Sequence, residues 1–264
     1  MRVLSLRADW NVFLERIPAA RERVLMLDYD GTLAPFQVRP ERVAPYPGIV
    51  KALDEVMQDE GTRVVIVSGR RAADLVGLLP LKRQPEIWGG HGWERLLPDG
   101  ALVAQEPAGE VRRILLRAED LARELAADGG RIERKPASVA LHWRGLPVLA
   151  VAKIRGRALS AWRLLAQDND VELFSFDGGI ELRALGCNKQ QAVNAILSET
   201  AEDSAIAYLG DDITDEDAFA AVKARGLAVL VRPQFRDTLA DLWIRPPREL
   251  VAFIGRWQAR GQRT

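Results

Sequence analysis

The sequence predicts an α/β fold, a doubly wound parallel sheet whose chain is interrupted by a small α+β domain. Three observations carry this. Short, unbroken apolar runs alternate with helical periodicity near both ends of the 264-residue chain. Residues 106 to 184 change to the order α-β-β-α-β-β, and the βα alternation then resumes. Apolar runs that end in Asp, Ser or Gly fit strands covered by helices on both faces.

The first strand is expected at Val24 to Leu27, ending at Asp28 with Gly31 just beyond. Pro47 to Gln58 has Ile49, Leu53 and Val56 on one helical face. Val64 to Val67 is a second buried strand, ending at Ser68-Gly69, followed by a helix containing Asp74, Leu75 and Leu78. Ile87-Trp88 makes a third short strand before Gly89-Gly90. Pro98-Asp99-Gly100 is a turn, and a charged helix from Gly109 to Ala127 opens the insertion. Strands Arg131 to Lys135 and Val139 to Trp143, helix Val148 to Ala166, and strands Val171 to Phe176 and Ile180 to Arg183 complete it. Asp177-Gly178-Gly179 is a hairpin turn sequence. Helix Lys189 to Glu199, strand Ala205 to Leu209, helix Asp215 to Arg225, strand Ala228 to Val231 and helix Glu249 to Ala259 follow. The expected division is a core over 1–105 and 185–264, with an inserted domain over 106–184.

Composition narrows the function. Lys+Arg and Asp+Glu both number 37, so the chain lacks the basic balance of a protein that coats nucleic acid or acidic membranes. A single cysteine, Cys187, excludes an internal disulfide framework and makes a reduced, unreactive thiol the expectation. Two histidines make a His-rich metal site poor in ligands. No apolar run is long enough for a membrane span, and the charged N-terminus lacks a signal-peptide core, so a cytoplasmic protein is expected.

Three expected strands end in reactive side chains: Asp28-Tyr29-Asp30, Ser68, and Gly210-Asp211-Asp212. Ligands of open α/β sheets bind beyond the carboxyl ends of strands. Asp28 and Asp30, two apart on extended backbone, point to one side. Their repulsion calls for a cation between them, and magnesium suits oxygen ligands that Asp211 and Asp215 can complete. Taken singly, Asp28 and Asp30 also read as turn and helix-cap residues, Ser68 as a helix N-cap, Lys189 as a solvated helix residue, and Thr214 with Asp217 as a helix cap. Glu133, Lys135 and His142 alternate with apolar neighbours, as a solvated strand face does. His91, on a loop between Gly90 and Gly92, reads as functional.

Asp28-Tyr29-Asp30-Gly31-Thr32-Leu33 resembles the first motif of haloacid-dehalogenase-type phosphatases. Ser68, Lys189 and Gly210-Asp211-Asp212-Ile213-Thr214-Asp215 match their second, third and fourth motifs. The insertion sits where the C2B cap of that superfamily sits. The resemblance narrows to trehalose-6-phosphate phosphatases. Leu209 to Phe219, Gly90-His91-Gly92-Trp93-Glu94, the segment Glu133 to Arg144, and Glu181-Leu182-Arg183 with Asn188-Lys189 are similar to that family's signatures. The matches run from Asp28 to about Phe253. Arg134, Trp143, Ala184 and Gln190 depart from the pattern, the cap changes bearing on sugar selectivity.

The resemblance implies a magnesium-dependent phosphatase acting on trehalose 6-phosphate. Asp28 would be the nucleophile and Asp30 the acid and base, with Ser68 and Lys189 holding phosphoryl oxygens. Magnesium would be bound by Asp28, the Asp30 carbonyl and Asp211, with Asp212 and Asp215 orienting that shell. Gly90, His91, Gly92, Glu133, Lys135, His142 and Glu181 would bind substrate. Other sugar phosphates (a sucrose or glycosyl-glycerate phosphate), a phosphosugar mutase and a non-catalytic sugar-phosphate-binding regulator are the competing functions. Any pairing with a trehalose-6-phosphate synthase would be with a separate protein.

Overall fold

The computed structural model describes residues 1–5, 10–37, 42–167, 170–176 and 178–258. The chain forms two compact units, one of residues 1–103 and 188–264, the other of residues 104–187.

The larger unit is built on a nine-stranded sheet. Its strands in chain order are β1 (Arg2–Val3), β2 (Arg23–Leu27), β3 (Thr62–Val67), β4 (Glu86–Gly89), β5 (Glu94–Leu96) and β6 (Leu102–Ala104). With the smaller unit's four strands numbered between, the rest are β11 (Ala205–Gly210), β12 (Leu227–Val231) and β13 (Leu242–Ile244). The spatial order is β1-β13-β12-β11-β2-β3-β4-β5-β6. The six strands from β13 to β4 run parallel, whereas β1 pairs antiparallel with β13 and β5 antiparallel with β4. The sheet is therefore mixed at its margins rather than parallel throughout. Short return strands such as Glu94–Leu96 carry too few residues to show a pattern of their own.

Alternation along the central strands explains the double winding. Leu25 and Leu27 of β2, with Ala205, Ala207 and Leu209 of β11, feed one buried cluster. That cluster also holds residues of α1 (Trp10–Ala19), α2 (Ile49–Val56), α3 (Ala72–Leu78) and α8 (Arg248–Ile254). Val24 and Met26, with Ile206 and Tyr208, feed a second cluster completed by α6 (Lys189–Glu199) and α7 (Glu216–Val222). With period 2 in the strands, successive side chains enter opposite cores, and every residue of β2 and β11 is buried. The closing helix was expected to reach Ala259; α8 ends at Ile254 and a 3-10 turn, Gly255–Trp257, follows, while Ala259 lies outside the described residues.

The smaller unit has the expected order: α4 (Gly109–Ala126), β7 (Arg131–Lys135), β8 (Ser138–His142), α5 (Val148–Leu165), β9 (Val171–Phe176) and β10 (Gly179–Ala184). Its sheet is antiparallel, in the order β7-β8-β10-β9. Of the turn joining β9 to β10, Asp177 lies outside the described residues. Val139, Leu141, Ile180 and Leu182 are buried, as are Ile114, Ala118, Ile154 and Trp162 of the helices. The Trp162 indole donates to the Ala118 carbonyl across the two helices, 3.2 Å away. No described helix is long and apolar enough to cross a membrane.

Candidate active site

Strands β11, β2 and β3 are neighbours, and their carboxyl ends set Asp211, Asp28 and Ser68 side by side. The chain leaves β2 for β3 on one side and returns as β11 on the other, so this is the point where strand order reverses. Asp28, Asp211 and Asp215 are 3%, 2% and 0% exposed, and a ligand oxygen from each lies within 4.8 Å of the others. Lys189, the first residue of α6, donates to Asp28 Oδ1 and Asp215 Oδ1, both at 2.7 Å. It is 3% exposed, so the solvated position expected from its place in the helix gives way to a buried ion pair. Burial alone would lower its pKa; Asp215 and Asp28 outweigh that and hold it well above the ordinary lysine range.

Electrostatics separate the three acids. Burial raises the Asp28 carboxyl to about 7, against the pull of Lys189. Burial, then Asp28 and Asp215, raise Asp211 well above the carboxylate range. Burial also acts against Asp215, but Lys189 and a shell of donors bring it below the ordinary value. Those donors are the Tyr208 hydroxyl at 2.6 Å and the backbone N–H groups of Asp211 and Asp212 at 2.9 and 3.0 Å. Asp211, in contrast, has only Thr32 Oγ1 at 3.5 Å as a donor to its carboxylate among the described residues. A buried carboxylate this poorly satisfied, beside two others, fits a hard divalent cation bound by oxygen.

The Asp30 carboxylate accepts two hydrogen bonds from Arg70, Nε to Oδ2 at 2.5 Å and Nη2 to Oδ1 at 2.6 Å. Lys189 beside Asp28 and Arg70 beside Asp30 offset part of the repulsion between the two carboxylates, although Asp30 still contributes to the raised Asp28 carboxyl. With its carboxylate so engaged, the backbone carbonyl is what Asp30 can offer a metal. Asp212 also stands outside the buried trio, with Arg232 at 3.9 Å from its carboxylate. It pairs with Asp215 in a capping box around the turn Ile213–Asp215, so the cap expected of Thr214 and Asp217 belongs to Asp212 and Asp215 instead.

Glycines permit the close approaches. A Cβ on Gly31, at φ +88°, would fall 2.1 Å from Asp211 Oδ2, and one on Gly210 would fall 2.3 Å from Asp215 Cγ. Ser68 is buried, and its Oγ accepts from the Arg70 N–H at 3.2 Å. The helix begins only at Ala72, so Ser68 caps a turn and not the helix itself. The Gly90–Gly92 turn is tied to the same loop: Gly90 N–H donates to Arg70 O and His91 N–H to Ser68 O. His91 sits in the left-handed region at φ +57°, its ring against the Cα of Gly69. Gly90, His91 and Gly92 therefore lie beside Ser68, and Gly92 is itself at φ +100°.

The other predicted substrate residues share one face of the smaller unit's sheet. Ala140 of the inner strand β8 is flanked by Glu133 on β7 and Glu181 on β10. Lys135 donates to Glu181 at 2.9 Å, Ser138 Oγ to the same oxygen at 2.5 Å, and His142 Nε2 hydrogen-bonds Glu133 at 2.7 Å. Lys135 is buried, which corrects its reading as part of a solvated face, and its partner Glu181 on β10 is buried too. Burial pushes Glu133 up, yet Lys135, His142 and Arg131 together hold it down at about 2. Burial acts against the Lys135 charge too, and Glu181 and Glu133 override it. Phe174 and Phe176 stand on this face, the latter ring 5.2 Å from that of His142. Burial pushes the Cys187 thiol up to about 12, which disfavours the thiolate form.

The family model described as Trehalose-phosphatase matches residues 26–238. The chain belongs to that family. It is 31% identical over 244 residues to the trehalose-phosphate phosphatase of Mycobacterium marinum, covering 88% of this chain and 60% of that protein. It is 33% identical over 212 residues to the probable trehalose-phosphate phosphatase of Sinorhizobium fredii, covering 79% of this chain and 77% of that one. The solved C-terminal domain of the C. albicans trehalose-6-phosphate phosphatase has the same fold, with a TM-score of 0.81 at 20% identity over 97% and 98% of the two chains. The chain thus spans about 60% of the length of its M. marinum relative.

Several site residues escaped the sequence reading, Arg232, Ser138, Phe174 and Phe176 among them, and three show why. Arg70 holds Asp30, Tyr208 supports Asp215, and Arg236 contacts the Asp211 loop. Arg70 had a local signal, being two residues past the strand-end Ser68. Tyr208 and Arg236 had none, because each acts across a contact the chain makes only on folding.

Proposed function

We propose that the chain is a magnesium-dependent phosphatase that hydrolyses trehalose 6-phosphate to trehalose and phosphate. The observation that carries this is the buried Asp28 carboxylate held 2.7 Å from Lys189 Nζ amid neighbouring strand ends. Family membership supports the substrate. An oriented, desolvated carboxylate is a competent nucleophile toward phosphorus. Asp28 Oδ forms the new O–P bond as the P–O bond to the sugar breaks. Asp30 would act as the acid in its protonated form, one oxygen turned from Arg70 to give its proton to the departing sugar oxygen. Water then attacks the aspartyl-phosphate, Asp30 takes the water's proton, and Asp28 is released with phosphate. The Ser68 hydroxyl, whose oxygen already accepts from Arg70 N–H, keeps its own hydrogen to donate to a phosphoryl oxygen. Lys189 supplies positive charge where the phosphoryl group gathers negative charge. A magnesium ion held by Asp28, Asp211 and the Asp30 carbonyl would offset repulsion between the carboxylates and the phosphoryl group. Asp215 keeps Lys189 and the Asp211 loop in place.

Glu133, Lys135, His142 and Glu181 suit sugar hydroxyls, and Phe174 and Phe176 suit the apolar C–H faces of a pyranose ring. Gly90, His91 and Gly92 are assigned to the substrate from their place beside Ser68.

The test is phosphate release across trehalose 6-phosphate, sucrose phosphate, a glycosyl-glycerate phosphate and para-nitrophenyl phosphate, with and without magnesium. Trehalose 6-phosphate is expected to be preferred and turnover to be lost in chelator. Faster release from another sugar phosphate would overturn the sugar assignment. An isomerised product without free phosphate would indicate a mutase, and binding without turnover a regulator.

A further inference from the structure

We infer that Arg236 is a positioning residue that clamps the Asp211-Asp212 backbone and thereby sets divalent-cation affinity. The inference rests on the proposed role of Asp211 as a cation ligand. On its N–H side, this loop is held by one carboxylate: Asp215 Oδ2 accepts from the N–H groups of Asp211 and Asp212. On its carbonyl side it is held by guanidinium groups. Arg236 Nε donates to Asp211 O at 3.2 Å and Nη2 to Asp212 O at 2.7 Å. Arg232 Nη1 adds a second donor to Asp211 O at 3.2 Å. The two peptide units are therefore gripped from opposite sides, by an anion and by cations.

Two opposed effects need weighing. A guanidinium near a cation site repels the cation, while an ordered loop favours its binding. Arg236 is not a bare charge, because Glu216 pairs with its Nη1. Glu216 is in turn fixed by Thr238 Oγ1 at 2.8 Å and Leu239 N–H at 2.7 Å. The Arg236–Glu216 pair is close to neutral, so its effect on the site is geometric rather than a repulsive field. Geometry matters here because the Asp211 side chain has little else to orient it: Gly31 beneath it, and Thr32 at 3.5 Å. Residues that orient metal ligands from behind typically govern affinity by about 10–100-fold.

The experiment is calorimetric titration of the full chain with magnesium chloride, and with manganese chloride read by water-proton relaxation, for wild type, Arg236→Met and Arg236→Lys. Arg236→Met is expected to bind roughly tenfold more weakly, with Arg236→Lys between it and wild type, since a lysine retains the charge and can reach one carbonyl. Hydrolysis of para-nitrophenyl phosphate by Arg236→Met should need more magnesium for half-maximal rate, with kcat largely restored at saturation. Equal affinities for wild type and Arg236→Met would overturn the inference. Equal impairment of both variants with a lower melting temperature in chelator would also overturn it, making Arg236 a support of the fold. A wild type that binds neither metal would overturn the cation reading itself, an outcome distinct from the other two.

Discussion

The two polar clusters of this chain are built on opposite charge plans. At the strand ends of the larger unit, three buried carboxylates meet one lysine, and Asp211 is left poorly satisfied. On the sheet of the smaller unit, Glu133 and Glu181 are matched by Lys135, Ser138 and His142, and Glu133 stays ionised down to about 2. Buried like charges are tolerated only if something neutralises them. The first cluster is incomplete without a cation. The second is complete as it stands and is fit to make hydrogen bonds in a fixed geometry. Under the proposed function, chemistry would fall to the first cluster and sugar recognition to the second, and each can be perturbed separately.

The largest effect is expected from Asp28→Asn, which removes the nucleophile while preserving shape. Phosphate release from both trehalose 6-phosphate and para-nitrophenyl phosphate should fall by on the order of 10⁴-fold, with an unchanged circular dichroism spectrum. Turnover near the wild-type rate would end the assignment of Asp28.

Next come the glycines beneath the acids. Gly31→Ala puts a methyl group into the Asp211 carboxylate and strains a left-handed residue; Gly210→Ala, with no such backbone strain, puts a methyl group into the Asp215 carboxylate. Each should weaken magnesium binding by about 100-fold, the upper end for disturbed ligand orientation. Glu133→Gln should leave that titration unaltered. A similar loss in Glu133→Gln would mean that the two clusters are not independent.

Glu133→Gln should instead lower kcat/KM for trehalose 6-phosphate by about tenfold to a hundredfold, as for a hydrogen bond to a charged group worth ~1.5–3 kcal/mol. It should spare para-nitrophenyl phosphate. Lys135→Ala is the harsher change, because it removes the cation paired with the buried Glu181 carboxylate, so a lower melting temperature should accompany it. Equal slowing of both substrates by Glu133→Gln would assign that residue to the fold or to the reaction centre.

The smallest effect is in pH dependence. Asp28 is raised from 3.8 to about 7, so without cation its contribution to stability is complete below about pH 4 and is lost as pH rises through about 7. Magnesium binds the ionised form. The stabilisation by magnesium, read as a rise in melting temperature, should therefore be larger at pH 8 than at pH 5, its free energy approaching ~2.7 kcal/mol at a hundredfold excess over Kd. Glu133 has the opposite sign: lowered from 4.5 to about 2, it contributes above about pH 4.5 and loses that contribution as pH falls through about 2, with or without magnesium. Equal stabilisation by magnesium at both pH values would contradict the raised Asp28.

By itself the sequence determined the alternation of elements and the positions of Asp28, Ser68 and Asp211. The reason is local: strands buried on both faces must be apolar runs, and the polar residues that end them stand out against those runs. It also placed the α-β-β-α-β-β insertion, whose helices and strands are long enough to show their periods. It did not yield β1, β5, β6, β13 or α1. Those strands are two or three residues long and exist because of the partner each meets, as Leu242–Ile244 meets β12. α1 carries Pro18 and rests on tertiary packing of Phe13, Leu14 and Ile17. Only the tertiary structure decided which charge answers which. Arg70 takes Asp30 from 40 residues away, Lys189 takes Asp28 from 161, and Arg236 reaches Asp211 from 25. Pairings of this kind leave no periodic trace in the chain, because what selects them is the desolvation of each group in the folded core.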